Sequence, residues 1–216
     1  MPNARNPMTH LILLGDSIFD NAAYVEGGPS VIEQVTHQLP AGAQATLLAV
    51  DGDTVSDVIH QLQRLPESAT HLMLSVGGND ALGCIATLEA PAVSVRQALV
   101  TLTRIKSEFR ANYRSLLATV TAKNLPLLVC TIYDSVPGLP EELKTALGMF
   151  NDVILSEAVK QGLPVLDLRL ICTDAADYSA ASPIEPSSQG GAKVAQRLVV
   201  TVLGDDCGIG GCRVYC

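Results

Sequence analysis

The 216-residue chain carries 14 Lys plus Arg against 22 Asp plus Glu, a formal net charge of −8, so its average field repels a phosphate backbone and argues against a nucleic-acid partner. Its length fits one domain, and its 48% apolar composition supplies enough side chains for a continuous buried core. The polar start MPNARNPMTH leads into an apolar run, Leu11 to Leu14, that is too short for a signal-peptide core or a membrane span, so a cytoplasmic protein without membrane insertion is expected.

Along the chain, short apolar runs alternate with longer segments of helical period, the rhythm of βα units around a largely parallel sheet. The expected strands are His10 to Leu14, Ala45 to Val50, His71 to Val76, Pro126 to Thr131 and Pro164 to Leu168. A short helix is expected from about Val55 to Leu65. Val95, Leu99, Leu102, Ile105, Phe109, Leu116 and Val120 then recur at helical intervals and mark one long helix, capped by Ser94. Arg96, Arg104, Lys106, Arg110 and Arg114 alternate with that stripe and read as the wet face of the same helix. Leu143, Leu147, Phe150, Ile154 and Ala158 mark a second long helix, stopped by Gly162 and Pro164, and a last helix runs from about Gln189 to Leu203. The fold expected is α/β, a three-layer α/β/α sandwich around a five-stranded, mostly parallel sheet.

Residues 1–204 read as one domain and 205–216 as a Gly/Cys-rich tail. Cys207, Cys212 and Cys216 are spaced C-x4-C-x3-C and lack the tight CxxC pair of common structural zinc sites; reduced thiols, a disulfide and a metal site are all open readings of them.

Open parallel sheets place ligands beyond the carboxyl ends of their strands, which directs attention to the polar residues there. They are Asp16, Ser17 and Asn21 after the first strand, Gly52, Asp53 and Thr54 after the second, and Asn79 and Asp80 after the third. Tyr133 and Asp134 follow the fourth, and the long segment after the fifth holds Asp174, Asp177, Tyr178, Ser182 and Glu185. A serine at such a junction can present its hydroxyl to a bound carbonyl. The backbone N–H of Gly52 and the side-chain amide of Asn79 can meet the negative charge that grows on the carbonyl oxygen. Taken singly, Ser17 reads as a turn cap, Gly52 as a turn glycine and Asn79 as a loop tie. Their joint placement favours chemistry.

The segments LLGDSIFDN (Leu13 to Asn21), VDGDT (Val50 to Thr54) and VGGND (Val76 to Asp80) resemble, in order, the first three sequence blocks of the SGNH hydrolases, also called GDSL-type esterases. The resemblance implies a flavodoxin-like sandwich from about Leu11 to Leu203, a nucleophile at Ser17, oxyanion contacts from Gly52 and Asn79, and hydrolysis of acyl esters without a cofactor. Asp16, Asp80, Asp174, Asp177 and Ser182 are possible supporting residues.

The fourth block departs from the family pattern. Where the family carries D-x-x-H, this chain reads Ser182-Pro183-Ile184-Glu185, with Ser182 in place of the aspartate and Glu185 in place of the histidine. His10, His37, His60 and His71 lie at strand starts or on outer helices, away from the expected site. The expectation is therefore a small acyl-ester hydrolase with Ser17 as nucleophile and Glu185 as a non-standard base, its pKa raised by burial and by a carboxylate such as Asp174 or Asp177. The alternatives are an inactive binding protein using the same pocket for a small ligand, and an interaction protein using the cysteine tail.

Overall fold

The strand β1 (His10–Gly15) is buried along its whole length, as a strand covered by helices on both faces must be. In the computed structural model, which describes residues 9–204 and 213–215, it pairs with β2 (Gln44–Leu47) and β3 (His71–Ser75). Next come β4 (Leu127–Cys130), β5 (Val165–Leu166) and β6 (Val214–Tyr215), giving the order β2-β1-β3-β4-β5-β6 with every neighbouring pair parallel. The sheet thus has six strands rather than the expected five. Val214 and Tyr215 pair with Val165 and Leu166, although they lie in the segment read as a tail outside the sandwich. A two-residue strand has no periodicity to detect, and only the exposed edge of β5 gives it a partner. Cys207, Cys212 and Cys216 lie outside the described residues.

Alternation along β1 divides the core. Leu11 and Leu13 pack on one face with residues of α1 (Val31–Gln38) and α7 (Ser188–Leu203). Ile12 and Leu14 pack on the other with α2 (Val58–Gln61), α5 (Val95–Thr121) and α6 (Glu141–Lys160). These two clusters make the three layers of the sandwich. The short helices α3 (Gly78–Leu82) and α4 (Ile85–Leu88) follow β3.

Ser94 accepts from the Gln97 N–H at 3.2 Å and starts α5 as its side chain predicts. Its basic face is partly engaged: Lys106, Arg110 and Arg114 form ion pairs with Asp152 and Glu157 of α6. The helix expected from Val55 to Leu65 is shorter, with one turn of α2 followed by a 3-10 turn over Leu62–Arg64. Among the described residues no helix is long and apolar enough to cross a membrane.

Candidate active site

The local geometry of Ser17 begins with Gly15, which closes β1 at φ +129° with its Cα against the Ser75 carbonyl, so closely that a Cβ would overlap that oxygen. The chain turns at once: the Asp16 N–H donates to Ser75 O at 3.1 Å, and the N–H groups of Phe19 and Asp20 donate back to Asp16 O, each at 3.1 Å. Ser17 is left at the carboxyl end of β1, only 6% exposed, on the wall of an open cleft that Asp16, Asn79 and Glu185 also line. Gly52, Asp80, Asp174, Asp177 and Ser182 do not line it.

Gly52 sits at φ +86°, a conformation that favours glycine, on the exposed turn after β2. Asn79 ties that turn to its own, its Nδ2 donating to Asp53 O at 2.9 Å, which uses one of the two amide hydrogens. Asp80 is likewise a loop tie, accepting from the Val55 N–H at 3.0 Å. Among the described residues, neither the Ser17 N–H nor the Gly52 N–H donates to a protein acceptor.

Glu185 is 5% exposed, and its backbone is held from four directions. Its N–H donates to Ser182 O at 2.9 Å, and its carbonyl accepts from the Ser179 N–H at 2.8 Å. The preceding carbonyl, of Ile184, accepts from the Tyr133 hydroxyl at 2.6 Å, and the following one, of Pro186, accepts from Asn21 Nδ2 at 3.0 Å. The side chain is not held in the same way, because Oε2 is buried with no hydrogen-bond partner. Burial pushes the Glu185 carboxyl up to about 7; the Ser17 side chain, as a hydrogen-bonding neighbour, opposes the rise and Asp51 adds to it. Burial likewise lifts Asp16 to about 8 against the N–H of Ile18 that binds its carboxylate, with Glu185 and Asp80 adding to the rise.

The carboxylate acting on Glu185 is therefore Asp51, and not Asp174 or Asp177 as the sequence suggested. Those two are claimed by Lys193, whose Nζ lies 2.8 Å from Asp174 Oδ2 and 2.8 Å from Asp177 Oδ2. Asp51 accepts from the Tyr24 hydroxyl at 2.7 Å, and the same Tyr24 carbonyl accepts from Ser179 Oγ at 2.5 Å, which joins this corner to the Glu185 loop. Asp51 stands inside the VDGDT block, and Tyr24 has no sequence signal of its own.

None of the four histidines lines the cleft. His10 is buried at the opposite end of β1 with its ring nitrogens on Ser68 and Thr46, at 2.9 and 2.8 Å. Among the described residues, no group of three or more His, Cys, Asp or Glu is arranged to hold a metal ion.

A parallel sheet wrapped by helices, with a cleft at the carboxyl ends of its strands, defines the three-layer α/β/α sandwich class. The chain belongs to the GDSL-like lipase/acylhydrolase family, whose pattern it matches over residues 13–193. That membership carries acyl-ester hydrolysis as the general class of reaction. Similar structures include an extracellular lipase from Streptomyces rimosus, at 16% identity and a TM-score of 0.67, covering 90% of this chain and 99% of that one. A lipase from a goat rumen metagenome gives 16% identity and a TM-score of 0.72 over 92% of this chain and 99% of the other. An acetyl xylan esterase from Geobacillus stearothermophilus gives 17% and 0.63 over 91% and 94%. No curated protein matches the chain in sequence. The expectation of a cytoplasmic protein is overturned by this comparison, because the fold is shared with a lipase that is extracellular. A short apolar run that forms the inner strand β1 carries no information on compartment.

Proposed function

We propose that this chain hydrolyses the acyl ester of a small substrate, with Ser17 as nucleophile and Glu185 as general base. The observation that carries the reading is the Glu185 carboxyl: buried on the wall of the cleft that holds Ser17, with Oε2 unpartnered and a pKa raised to about 7. A general base is most effective when its pKa lies near the working pH, and an ordinary carboxylate is too weak for the task.

In this mechanism the Ser17 hydroxyl attacks the ester carbonyl carbon as its proton passes to the Glu185 carboxylate. The carbonyl oxygen takes the negative charge. The Ser17 N–H and the second amide hydrogen of Asn79, both on the cleft wall, donate to it, and their freedom from protein acceptors leaves them available. Collapse of the adduct expels the alcohol oxygen, which takes the proton from Glu185. Water then attacks the acyl-serine with Glu185 again as base, releasing the acid and restoring both side chains.

The missing fourth-block histidine favours a second reading, an inactive protein that binds a small ligand in the same cleft. Short acyl esters assayed between about pH 5 and 9 with the wild type, S17A and E185Q separate the two. Hydrolysis requires turnover that S17A abolishes and E185Q lowers. Equal background in all three proteins across a broad ester panel sinks it.

A further inference from the structure

The cleft that begins at Ser17 and Glu185 continues as an apolar chamber between the loop helices after β3 and the first half of α6. Its far walls are Leu82, Ile85 and Leu88 on one side and Leu143, Leu147 and Phe150 on the other. On α6 the apolar stripe divides: Ile154 and Ala158 are fully buried core, whereas Leu143 and Leu147 are only partly covered. From Ser17 and Glu185 to these far walls the cleft encloses about 110 Å³. For scale, an engineered apolar cavity of about 150 Å³ stays dry and takes up benzene. A chamber of that order suits a chain of about six carbons. An acetyl group at Ser17 leaves most of it empty.

Resting on the hydrolase reading above, we infer that the chamber is an acyl subsite selecting a medium-length aliphatic acyl group, of about six carbons, over acetyl. The occupant follows from continuity and lining. The chamber opens at the serine, where both substituents of the reacting carbonyl start, and of the two only the acyl chain stays bonded to Ser17 after the alcohol leaves, so the chamber that must be filled through both half-reactions is assigned to it. Its walls beyond Asn79 are apolar side chains with the weakly polar sulfurs of Cys84 and Met149 among them, and the Tyr133 hydroxyl already donates to Ile184 O, so a sugar or a charged group there would leave polar atoms without partners. Each buried methylene gains about 0.8 kcal/mol, or about fourfold in kcat/KM, until the space is full. Ala146 is a small residue of the α6 wall, and a larger side chain there shortens the chamber.

The test is a series of p-nitrophenyl esters from acetate to dodecanoate. Specificity is expected to rise about fourfold per methylene to about the hexanoyl ester and then to level or fall. A146F is expected to remove most of the hexanoyl-over-acetyl ratio. A ratio that is flat or falls from acetyl onward in the wild type overturns the inference, and so does a ratio unchanged in folded A146F. Calorimetric binding of hexanoate and acetate to S17A serves as a second measure, independent of turnover and of A146F folding. Hexanoate bound in clear preference to acetate supports the chamber even where no ester is turned over, in which case the hydrolase reading alone fails. Equal or no binding of the two acids overturns the chamber, whether or not esters are cleaved.

Discussion

The Tyr133 hydroxyl, at the carboxyl end of β4, donates to the carbonyl oxygen of Ile184 at 2.6 Å and so fixes the peptide that carries Glu185. Tyr133 also packs edge-on against Tyr178, with ring centroids 5.1 Å apart, which leaves the phenol little room to turn. Y133F keeps the ring and removes only the hydroxyl. A loss of about tenfold in kcat is expected with little change in KM, since about 1.4 kcal/mol of positioning lies in the bond. The pH of the acid limb should stay put. An unchanged kcat would show that the other three backbone ties suffice.

In the proposed mechanism Glu185 must be ionised to accept the serine proton, so activity should rise with pH through about 7. Asp51 contributes to that raised value. D51N removes the repulsion, favours the carboxylate and should move the acid limb of the kcat/KM profile to lower pH. A limb that moves up, or stays where it was, would remove Asp51 from the role of neighbour to the base.

The same carboxyl affects stability with the opposite trend. Folded-state pKa values of about 7 for Glu185 and about 8 for Asp16 lie above the ordinary carboxyl range of an unfolded chain. Through that window the folded protein holds protons the unfolded chain has released, so both groups make stability fall as pH rises. E185Q cannot ionise. Its stability should match the wild type below about pH 4 and exceed it near pH 8, by up to about 3 kcal/mol in unfolding free energy, with the gap opening as pH rises between the two. A wild type that stays the more stable of the two at pH 8, or about pH 8, would contradict the buried, unpartnered state of Oε2.

Lys193 of α7 holds Asp177, whose side chain is 0% exposed, and K193A leaves that carboxylate buried without its cation. Burial pushes Asp177 up, but Lys193, the Asp174 N–H and Gln189 bring it below its ordinary value. Its contribution is therefore present at neutral pH and lost as pH falls below about 4. Since the Lys193 side chain is 34% exposed, the loss in K193A is discounted to about 1–3 kcal/mol at neutral pH. Urea unfolding at neutral and acid pH measures it, and the gap between the two proteins should narrow in acid.

The double substitution S182D/E185H restores the family's missing pair. The Glu185 N–H to Ser182 O bond of 2.9 Å makes the turn that the D-x-x-H frame needs. Imidazole at 185 and a carboxylate at 182 should raise short-ester hydrolysis, by less than the roughly 10²- to 10⁴-fold that a base contributes in full, because the proposed mechanism already has Glu185 as base. The gain should vanish when S17A is added. A folded double mutant without gain, whose residue 185 turns away from Ser17, would sink the fourth-block alignment and the base role together.

Ser17 and Asn79 were legible in the sequence because strand ends are local: an apolar run, a glycine and a polar residue suffice to put a side chain at the carboxyl edge of the sheet. The period of α5 and its Ser94 cap were legible for the same reason, since a helix is written in neighbours three and four residues apart. Three features needed the folded chain. β6 exists only because β5 offers an edge, and no two-residue pattern announces that. The stripe of α6 reads as uniform core in sequence, yet the packing of α3 and α4 leaves its first turns facing a chamber and buries the rest. The charge that tunes Glu185 comes from Asp51, 134 positions earlier, while the nearer Asp174 and Asp177 are drawn off by Lys193. Electrostatic neighbours are set by distance in space, and in a parallel sheet the connections that bring strand ends together run through whole helices.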